Sequence, residues 1–179
     1  MIYIDDRDFQ LSNTAVTIGK FDGLHKGHME LIAHLLGYRA QGLQTAVMRL
    51  DFVARGSGKE TMVLRTEEER RQILEKSGVD IYLRYPFGPA DFEMSAQDFA
   101  KEIIAGRLGA KAVVVGDDFR FGRGRQGTPQ LLSQWGSKLG FTVEIVERAC
   151  VDGVPVSSSL IREYMSGGEI EKARKMLDN

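Results

Sequence analysis

Two histidines lie three positions apart in the segment Gly19-Lys20-Phe21-Asp22-Gly23-Leu24-His25-Lys26-Gly27-His28. An imidazole can donate to phosphate oxygens and stabilise the charge that builds up during phosphoryl or nucleotidyl transfer. Glycines let the backbone turn sharply and approach a ligand closely, and the start of a helix offers free N–H groups to an anion. The alternative interpretation is a polar, solvated helix start, but the phenylalanine, the aspartate and the glycines around His25 and His28 favour a phosphate site.

A second glycine-rich stretch reads Gly116-Asp-Asp-Phe-Arg-Phe-Gly-Arg-Gly-Arg-Gln-Gly127. Its last six residues match the dinucleotide fingerprint G-x-G-x-x-G. The match is weak, because residues 117–121 separate it from the preceding apolar run. Arg120, Arg123 and Arg125 could bind phosphate, but a solvated loop explains these arginines equally well.

A third candidate phosphate site is Val156-Ser157-Ser158-Ser159-Leu160-Ile161-Arg162. Serine hydroxyls and the N–H groups of a helix start can hold a polyphosphate. Arg162 would lie one turn further along the same helix face and could offer a bidentate fork to phosphate oxygens. The alternative is a plain serine cap followed by a surface arginine.

Alternating strands and helices predict how these segments are positioned. The predicted strands are 14–18, 43–50, 79–84, 111–115 and 141–146, each rich in apolar or β-branched residues. A capping box at Thr66 and Glu69, a serine cap at Ser95 and a Thr128-Pro129 pair predict the starts of three helices. The expected architecture is therefore an α/β fold with a doubly wound parallel five-stranded sheet. Ligands bind such sheets beyond the carboxyl ends of the strands, so the first two segments should face one crevice.

Connections and the last helices complete the predicted chain. Residues 51–64 are expected to form a loop with its tip at 56–59, and residues 86–89 are expected to break the chain. Two short helices are predicted at 158–165 and 169–177.

The bulk composition is that of a globular protein with a core of its own. The 179 residues are 42% hydrophobic and 27% charged, which suits a single domain over residues 1–179. A formal charge of −1 gives no general attraction to nucleic acid or to an acidic membrane. The N-terminus does not resemble a signal peptide, and the single cysteine excludes an internal disulfide. A cytoplasmic enzyme or binding domain is the expectation.

The motif Gly-x-Phe-Asp-Gly-x-His-x-Gly-His resembles the His-x-Gly-His signature of the nucleotidylyltransferase superfamily, in the form found in bacterial FAD synthetases. The Gly116–Gly122 element and the Ser-Ser-Ser-x-x-Arg segment resemble a second and a third signature of the same branch. This resemblance implies a Rossmann-like fold and the adenylyltransferase module of bifunctional riboflavin kinase/FMN adenylyltransferase. The implied reaction is in-line attack of the FMN phosphate on the α-phosphorus of ATP, which gives FAD and pyrophosphate, with Mg²⁺ neutralising charge. No protein ligand of the metal is implied.

The resemblance also implies roles for individual residues. The implied catalytic residues are His25, His28, Ser158, Ser159 and Arg162. The implied nucleotide site adds Gly19, Phe21, Asp22, Gly23, Gly116, Asp118 and Ser157, with Asp118 on the ribose unless it is a simple turn residue. Aromatic walls for the flavin are expected from Phe52, Phe87, Phe119 and Phe121.

Three departures from the family pattern leave alternatives open. Lys20 stands where the family usually has asparagine, and Val53-Ala54-Arg55 replaces a Pro-His-Pro segment on the flavin side. The sequence ends at Asn179, where the bifunctional family continues into a kinase domain, so no riboflavin kinase activity is expected. One alternative is a nucleotidylyltransferase for a different phosphorylated acceptor. Another is a nucleotide- or flavin-binding module without turnover.

Overall fold

The computed structural model describes residues 1–52 and 62–177, and a parallel sheet of six strands lies at its centre. The strands are β1 (Ile2–Asp5), β2 (Thr14–Gly19), β3 (Gln44–Phe52), β4 (Ile81–Phe87), β5 (Ala110–Gly116) and β6 (Thr142–Val146), in the spatial order β1-β4-β3-β2-β5-β6. The two-residue strands β7 (Cys150–Val151) and β8 (Val154–Pro155) form a separate antiparallel hairpin. The α/β parallel-sheet prediction is confirmed.

Seven α-helices are described in these parts of the chain, together with short 3₁₀ helices at Tyr38–Gln41 and Arg123–Arg125. The α-helices are α1 (Lys26–Gly37), α2 (Glu67–Ser77), α3 (Pro89–Glu93), α4 (Ala96–Asp98, continuing as a π-helix over Phe99–Arg107), α5 (Pro129–Leu139), α6 (Ser158–Ser166) and α7 (Ile170–Leu177). Helices α1 and α2 cover one face of the sheet, and α4 and α5 cover the other. None of the described helices is long and apolar enough to cross a membrane.

The predicted helix boundaries agree with the structure because they depend on local chemistry. The Thr66 hydroxyl accepts from the backbone N–H of Glu69, whose carboxylate accepts from the N–H of Thr66. Gly78 ends α2 with φ of 87°, a conformation that favours glycine. The Ser95 hydroxyl caps α4 by accepting from the N–H of Asp98 at 3.0 Å.

The five-strand prediction omitted β1, a four-residue strand at the edge of the sheet. Tyr3 of β1 pairs with Tyr82 of β4 in parallel register. The segment Ile2–Asp5 is too short and too polar at its end to show a periodic pattern, so its pairing depends on the neighbouring strand.

Two predicted chain breaks begin later than expected. Strand β3 continues through Asp51 and Phe52, and β4 continues through Pro86 and Phe87, so these four residues lie in the sheet and not in loops. Pro86 is tolerated because its polar backbone faces the side where β1 has already ended. There Arg7 donates to the Pro86 carbonyl at 3.2 Å, and none of the described strands lies where it would require the missing N–H. The predicted loop tip at 56–59 and the segment 53–55 lie outside the described residues.

The chain order places a switch point between the neighbouring strands β2 and β5. From β2 the chain passes through α1 to β3 on one side, and from β5 it passes through α5 to β6 on the other side. The loops after β2 and β5 therefore diverge at their carboxyl ends, which opens a crevice between them.

Candidate active site

The crevice at the switch point is a cavity of about 890 Å³, a volume typical of small-molecule sites. It gathers residues from all three signature segments. Of the predicted site residues, the cavity is lined by Gly19, Phe21, His25, His28, Phe52, Phe87, Gly116, Asp118, Phe119, Phe121, Ser157 and Ser158. Asp22, Gly23, Ser159 and Arg162 are not among the lining residues. The tertiary structure therefore brings together segments that are far apart in the sequence.

The loop after β2 owes its shape to two non-glycine residues. Phe21 and Leu24 adopt positive φ values of 44° and 43°, and both side chains are fully buried. Burial in the core stabilises this unfavourable backbone conformation, which is common at functional sites. A Cβ on Gly23 would lie 2.9 Å from the end of the Leu64 side chain, so Gly23 allows this close approach. Gly19, Gly23 and Gly27 have no positive φ, so the sharp turn that the sequence assigned to the glycines is made by Phe21 and Leu24.

His25 and His28 form a stacked pair at the start of α1. His25 is the N-cap residue, and its Nδ1 accepts from the backbone N–H of His28 at 3.4 Å. The two ring centroids lie 3.7 Å apart with an interplanar angle of 13°, and the ring of Phe21 packs against His28 at 4.8 Å. This packing fixes both rings on the wall of the cavity.

Both histidines are held in the neutral state. Burial lowers the pKa of His25 from 6.5 to about 4. Burial and the neighbouring His25 lower the pKa of His28. The Nδ1 atom of His28 is buried with no hydrogen-bond partner among the described residues, which makes a proton there costly. At neutral pH the pair therefore offers hydrogen bonds from neutral rings to an anion.

The loop after β5 forms a second wall, built on aromatic stacking. The rings of Phe119 and Phe121 stack at 5.3 Å, and Phe121 packs edge-on against Trp135 in the core. Gly127 pairs with Phe121, and a Cβ on this glycine would lie 2.6 Å from the Phe121 ring. The G-x-G-x-x-G match therefore serves loop packing, because it does not connect a strand directly to a helix.

The third segment begins α6 at the edge of the cavity. The Ser157 hydroxyl caps the helix by accepting from the N–H of Leu160 at 3.2 Å. Arg162 lies one turn further along, but its guanidinium turns to Asp22 of the first segment and forms an ion pair. It also donates to the Met62 carbonyl at 2.8 Å and the Ser158 carbonyl at 3.3 Å. Asp22 and Arg162 thus form a linked pair at the edge of the cavity, next to the lining residue Ser158.

The far end of the cavity is an aromatic cluster that the sequence revealed only in part. Phe52 and Phe87, which pair across β3 and β4, have ring centroids 5.0 Å apart. Phe92 on α3 completes the cluster at 4.9 Å from Phe87, and its signal was only an aromatic residue soon after Pro89. The Lys20 ammonium lies 5.1 Å from the Phe52 ring centroid, which places a cation at this end.

A buried carboxylate supports the aromatic cluster from behind. Asp91, also on the cavity wall, is 3% exposed. It accepts from Arg7 through both oxygens, at 2.9 and 3.0 Å, and from the Tyr85 hydroxyl at 2.8 Å. The Gly88 N–H donates to it at 2.7 Å. Sequence reasoning missed Asp91 because its partners come from β4 and the segment after β1.

Comparisons with known proteins agree with this geometry. Residues 8–160 match the FAD synthetase family. A bifunctional riboflavin kinase/FMN adenylyltransferase from Buchnera aphidicola subsp. Schizaphis graminum is 33% identical over 173 residues, which are 93% of this chain and 55% of the relative. The protein of that name from Escherichia coli (strain K12) is 32% identical over 166 residues, covering 90% of this chain and 53% of the relative. The chain thus spans about half the length of the curated relatives it matches.

Solved structures show the same fold. A protein from Streptococcus pneumoniae named as a macrolide-efflux protein superposes with a TM-score of 0.83 at 27% identity, covering 99% of this chain and 60% of that one. A pantoate-beta-alanine ligase from Francisella tularensis superposes with a TM-score of 0.54 at 17% identity, covering 98% of this chain and 77% of that one, which supports the fold alone. The family match includes the His25–His28 motif and the loop after β5, and it ends in the first turn of α6. These three segments meet at one cavity. The chain therefore belongs to the FAD synthetase family.

Proposed function

We propose that this protein is an FMN adenylyltransferase, which transfers AMP from ATP to the phosphate of FMN and releases pyrophosphate. The observation that carries the proposal is that one cavity is lined by the neutral His25–His28 pair, by the Phe52–Phe87 pair and by the Phe119–Phe121 pair. A dinucleotide product has two flat ring systems joined by phosphates, and aromatic faces stack well on such rings. The family match and the names of the relatives support the same reaction.

In the proposed mechanism the protein positions the substrates and stabilises charge. The His25 and His28 rings donate hydrogen bonds to the phosphates of ATP while the FMN phosphate attacks the α-phosphorus in line. The serine-rich start of α6, with Ser157, Ser158 and Ser159, and the Arg162 guanidinium hold the outgoing pyrophosphate. Asp118, on the cavity wall after β5, accepts from the ribose hydroxyls.

Magnesium enters the proposal as part of the substrate, the MgATP complex. Among residues 1–52 and 62–177, no group of three or more His, Cys, Asp or Glu side chains is arranged to hold a metal ion. When bound to the phosphates, Mg²⁺ neutralises part of their charge. The proposal includes a cytoplasmic setting, where ATP and FMN are available to the enzyme.

The decisive experiment incubates the protein with ATP, FMN and Mg²⁺ and measures FAD by chromatography together with pyrophosphate release. We expect both products in equal amounts, and neither product when ATP or FMN is omitted or when EDTA is in excess. A parallel titration of FMN fluorescence measures acceptor binding directly.

Lys20 favours a second candidate, a nucleotidylyltransferase for another phosphorylated acceptor. Its ammonium, placed over Phe52, could bind an anionic acceptor that is not a flavin. The same assay with a panel of phosphorylated acceptors separates the candidates. Pyrophosphate release with another acceptor and not with FMN supports the second candidate, and no release with any acceptor supports a binding module without turnover.

A further inference from the structure

A chain of ion pairs runs from the edge strand β1 to helix α6 on the α1/α2 face of the sheet. It links Asp5 to Arg84 (3.1 Å), Arg84 to Asp51 (2.7 Å), Asp51 to Arg49 (3.2 Å), Arg49 to Glu67 (3.3 Å), Glu67 to Arg70 (2.9 Å), Arg70 to Asp22 (3.6 Å) and Asp22 to Arg162. Acidic side chains and arginines alternate throughout. The chain ends at two residues of the proposed nucleotide site.

Arg70 is the buried link in this chain. It is 5% exposed and also donates to the backbone carbonyls of Asp22, at 3.0 Å, and Arg65. Burial alone would lower the pKa of Arg70, but hydrogen bonding to Glu67 and the charge of that carboxylate raise it. Arg70 is therefore charged and held in one place.

Stability alone is a poor explanation for such an arrangement. The cost of removing charges from water offsets most of the attraction in a buried ion pair, so apolar side chains would often stabilise a fold as well. Buried ion pairs do, however, fix the geometry of the groups they connect. The group fixed here is the Arg162 guanidinium.

The contacts of Arg162 leave part of its guanidinium for a ligand. Of its five N–H donors, the Nε donor goes to the Met62 carbonyl, one Nη1 donor to the Ser158 carbonyl and one Nη2 donor to Asp22. Among residues 1–52 and 62–177, these contacts leave one donor on each Nη nitrogen, and two donors on neighbouring nitrogens of a planar guanidinium are the pair that binds phosphate bidentately. Asp22 therefore does not need to leave when phosphate binds, and its bond orients the fork in advance.

We propose that Glu67 and Arg70 of helix α2 are positioning residues that orient Arg162 for polyphosphate through Asp22. This inference depends on the proposed use of ATP and adds α2 to the proposed site. Without the Glu67 charge, Asp22 becomes the nearest carboxylate to buried Arg70 and is drawn away from Arg162. The fork then loses one of its three anchors, and ATP must order it on binding.

The test compares Glu67→Gln with Glu68→Gln, neighbouring substitutions that remove the same charge. Glu68 is exposed, accepts from Gln72 and, within the described residues, forms no ion pair with the residues of the ion-pair chain, so it is a matched control. In calorimetric titrations with MgATP we expect Glu67→Gln to raise the dissociation constant roughly tenfold, the loss typical of one weakened charge-assisted hydrogen bond. Glu68→Gln should stay within about twofold of the wild type.

A double-mutant cycle distinguishes positioning from a purely structural role. In an Asp22→Asn background the path from Glu67 to Arg162 is already broken, so Glu67→Gln should add less than about twofold. An equal loss in both backgrounds would overturn the inference. If Glu67→Gln does not fold, Arg70→Lys tests the same path, because lysine keeps the charge but lacks the separate nitrogens with which Arg70 binds Glu67 and Asp22 at the same time.

The inference and the proposed function fail in different ways. Wild-type protein that binds MgATP but forms no FAD refutes the proposed function and leaves the binding comparison intact. A crystal structure of unliganded Glu67→Gln needs no activity at all, and we expect Asp22 to lie on Arg70 with Arg162 released. An unchanged Asp22–Arg162 pair in that structure would refute the inference alone.

Discussion

Replacing His25 by asparagine should remove a large part of the acid sensitivity of the fold. His25 is 7% exposed, and burial lowers its pKa from 6.5 to about 4. In the unfolded chain the ring takes up a proton as the pH falls through 6.5, whereas the folded ring stays neutral until about pH 4. The unfolded state therefore binds more protons in this window, and the free energy of unfolding falls as the pH falls from 6.5 towards 4.

The size of the effect follows from the same two pKa values. Each pKa unit corresponds to about 1.36 kcal/mol, so the whole shift amounts to roughly 3 kcal/mol below pH 4. Between pH 7.5 and pH 5.0 the unfolded ring becomes almost fully protonated, which makes the loss from His25 about 2 kcal/mol. Burial also lowers the pKa of His28, so this residue acts in the same direction.

The assay is urea unfolding at pH 7.5 and pH 5.0 for the wild type and for His25→Asn. Asparagine keeps a side-chain oxygen that can cap α1, but it does not titrate. The carboxylates titrate in both proteins, so the difference between the two pH-dependent losses isolates residue 25. We expect the wild type to lose about 2 kcal/mol more than the variant. Equal losses in the two proteins would show that His25 is not held neutral by burial.

Three further predictions concern the proposed site. His28→Ala should lower the rate of adenylyl transfer by ~10²–10³-fold without unfolding the protein, because it removes a hydrogen-bond donor to the reacting phosphates. The control is His34→Ala, on the exposed side of the same helix. Equal turnover in both variants would contradict the role of His28. Arg162→Lys should raise the KM for ATP about tenfold, since lysine keeps the charge but lacks the planar fork. An unchanged KM would show that Arg162 does not bind ATP. Asp91→Asn should lower the free energy of unfolding by about 2–3 kcal/mol, because a buried acceptor of four hydrogen bonds loses its charge. Thermal unfolding measures that loss, and an unchanged midpoint would argue against the bidentate contact with Arg7.

Local chemistry in the sequence was enough to predict most helix boundaries and the core strands. The Thr66–Glu69 capping box, the glycine at position 78 and the Thr128-Pro129 start each act within one or two turns of chain. Their effect is nearly independent of what packs around them, so the sequence alone determines them. The histidine motif and the serine-rich segment also stand at the helix starts where the sequence placed them.

Pairing between distant segments was decided only by the tertiary structure. Strand β1 forms because its backbone pairs with the edge of β4. Pro86 is tolerated in β4 because β1 ends before it reaches this position. The aromatic cluster needed α3 to bring Phe92 against Phe87.

The ion pairs and the pKa values of the site likewise could not be predicted from the sequence. Arg162 and Asp22 are 140 residues apart in the chain, and only the folded protein pairs them. The lowered pKa values of His25 and His28 come from burial, which no local pattern specifies. The sequence by itself therefore determined which residues could handle phosphate, and the packing of the chain decided their charge, their partners and their orientation.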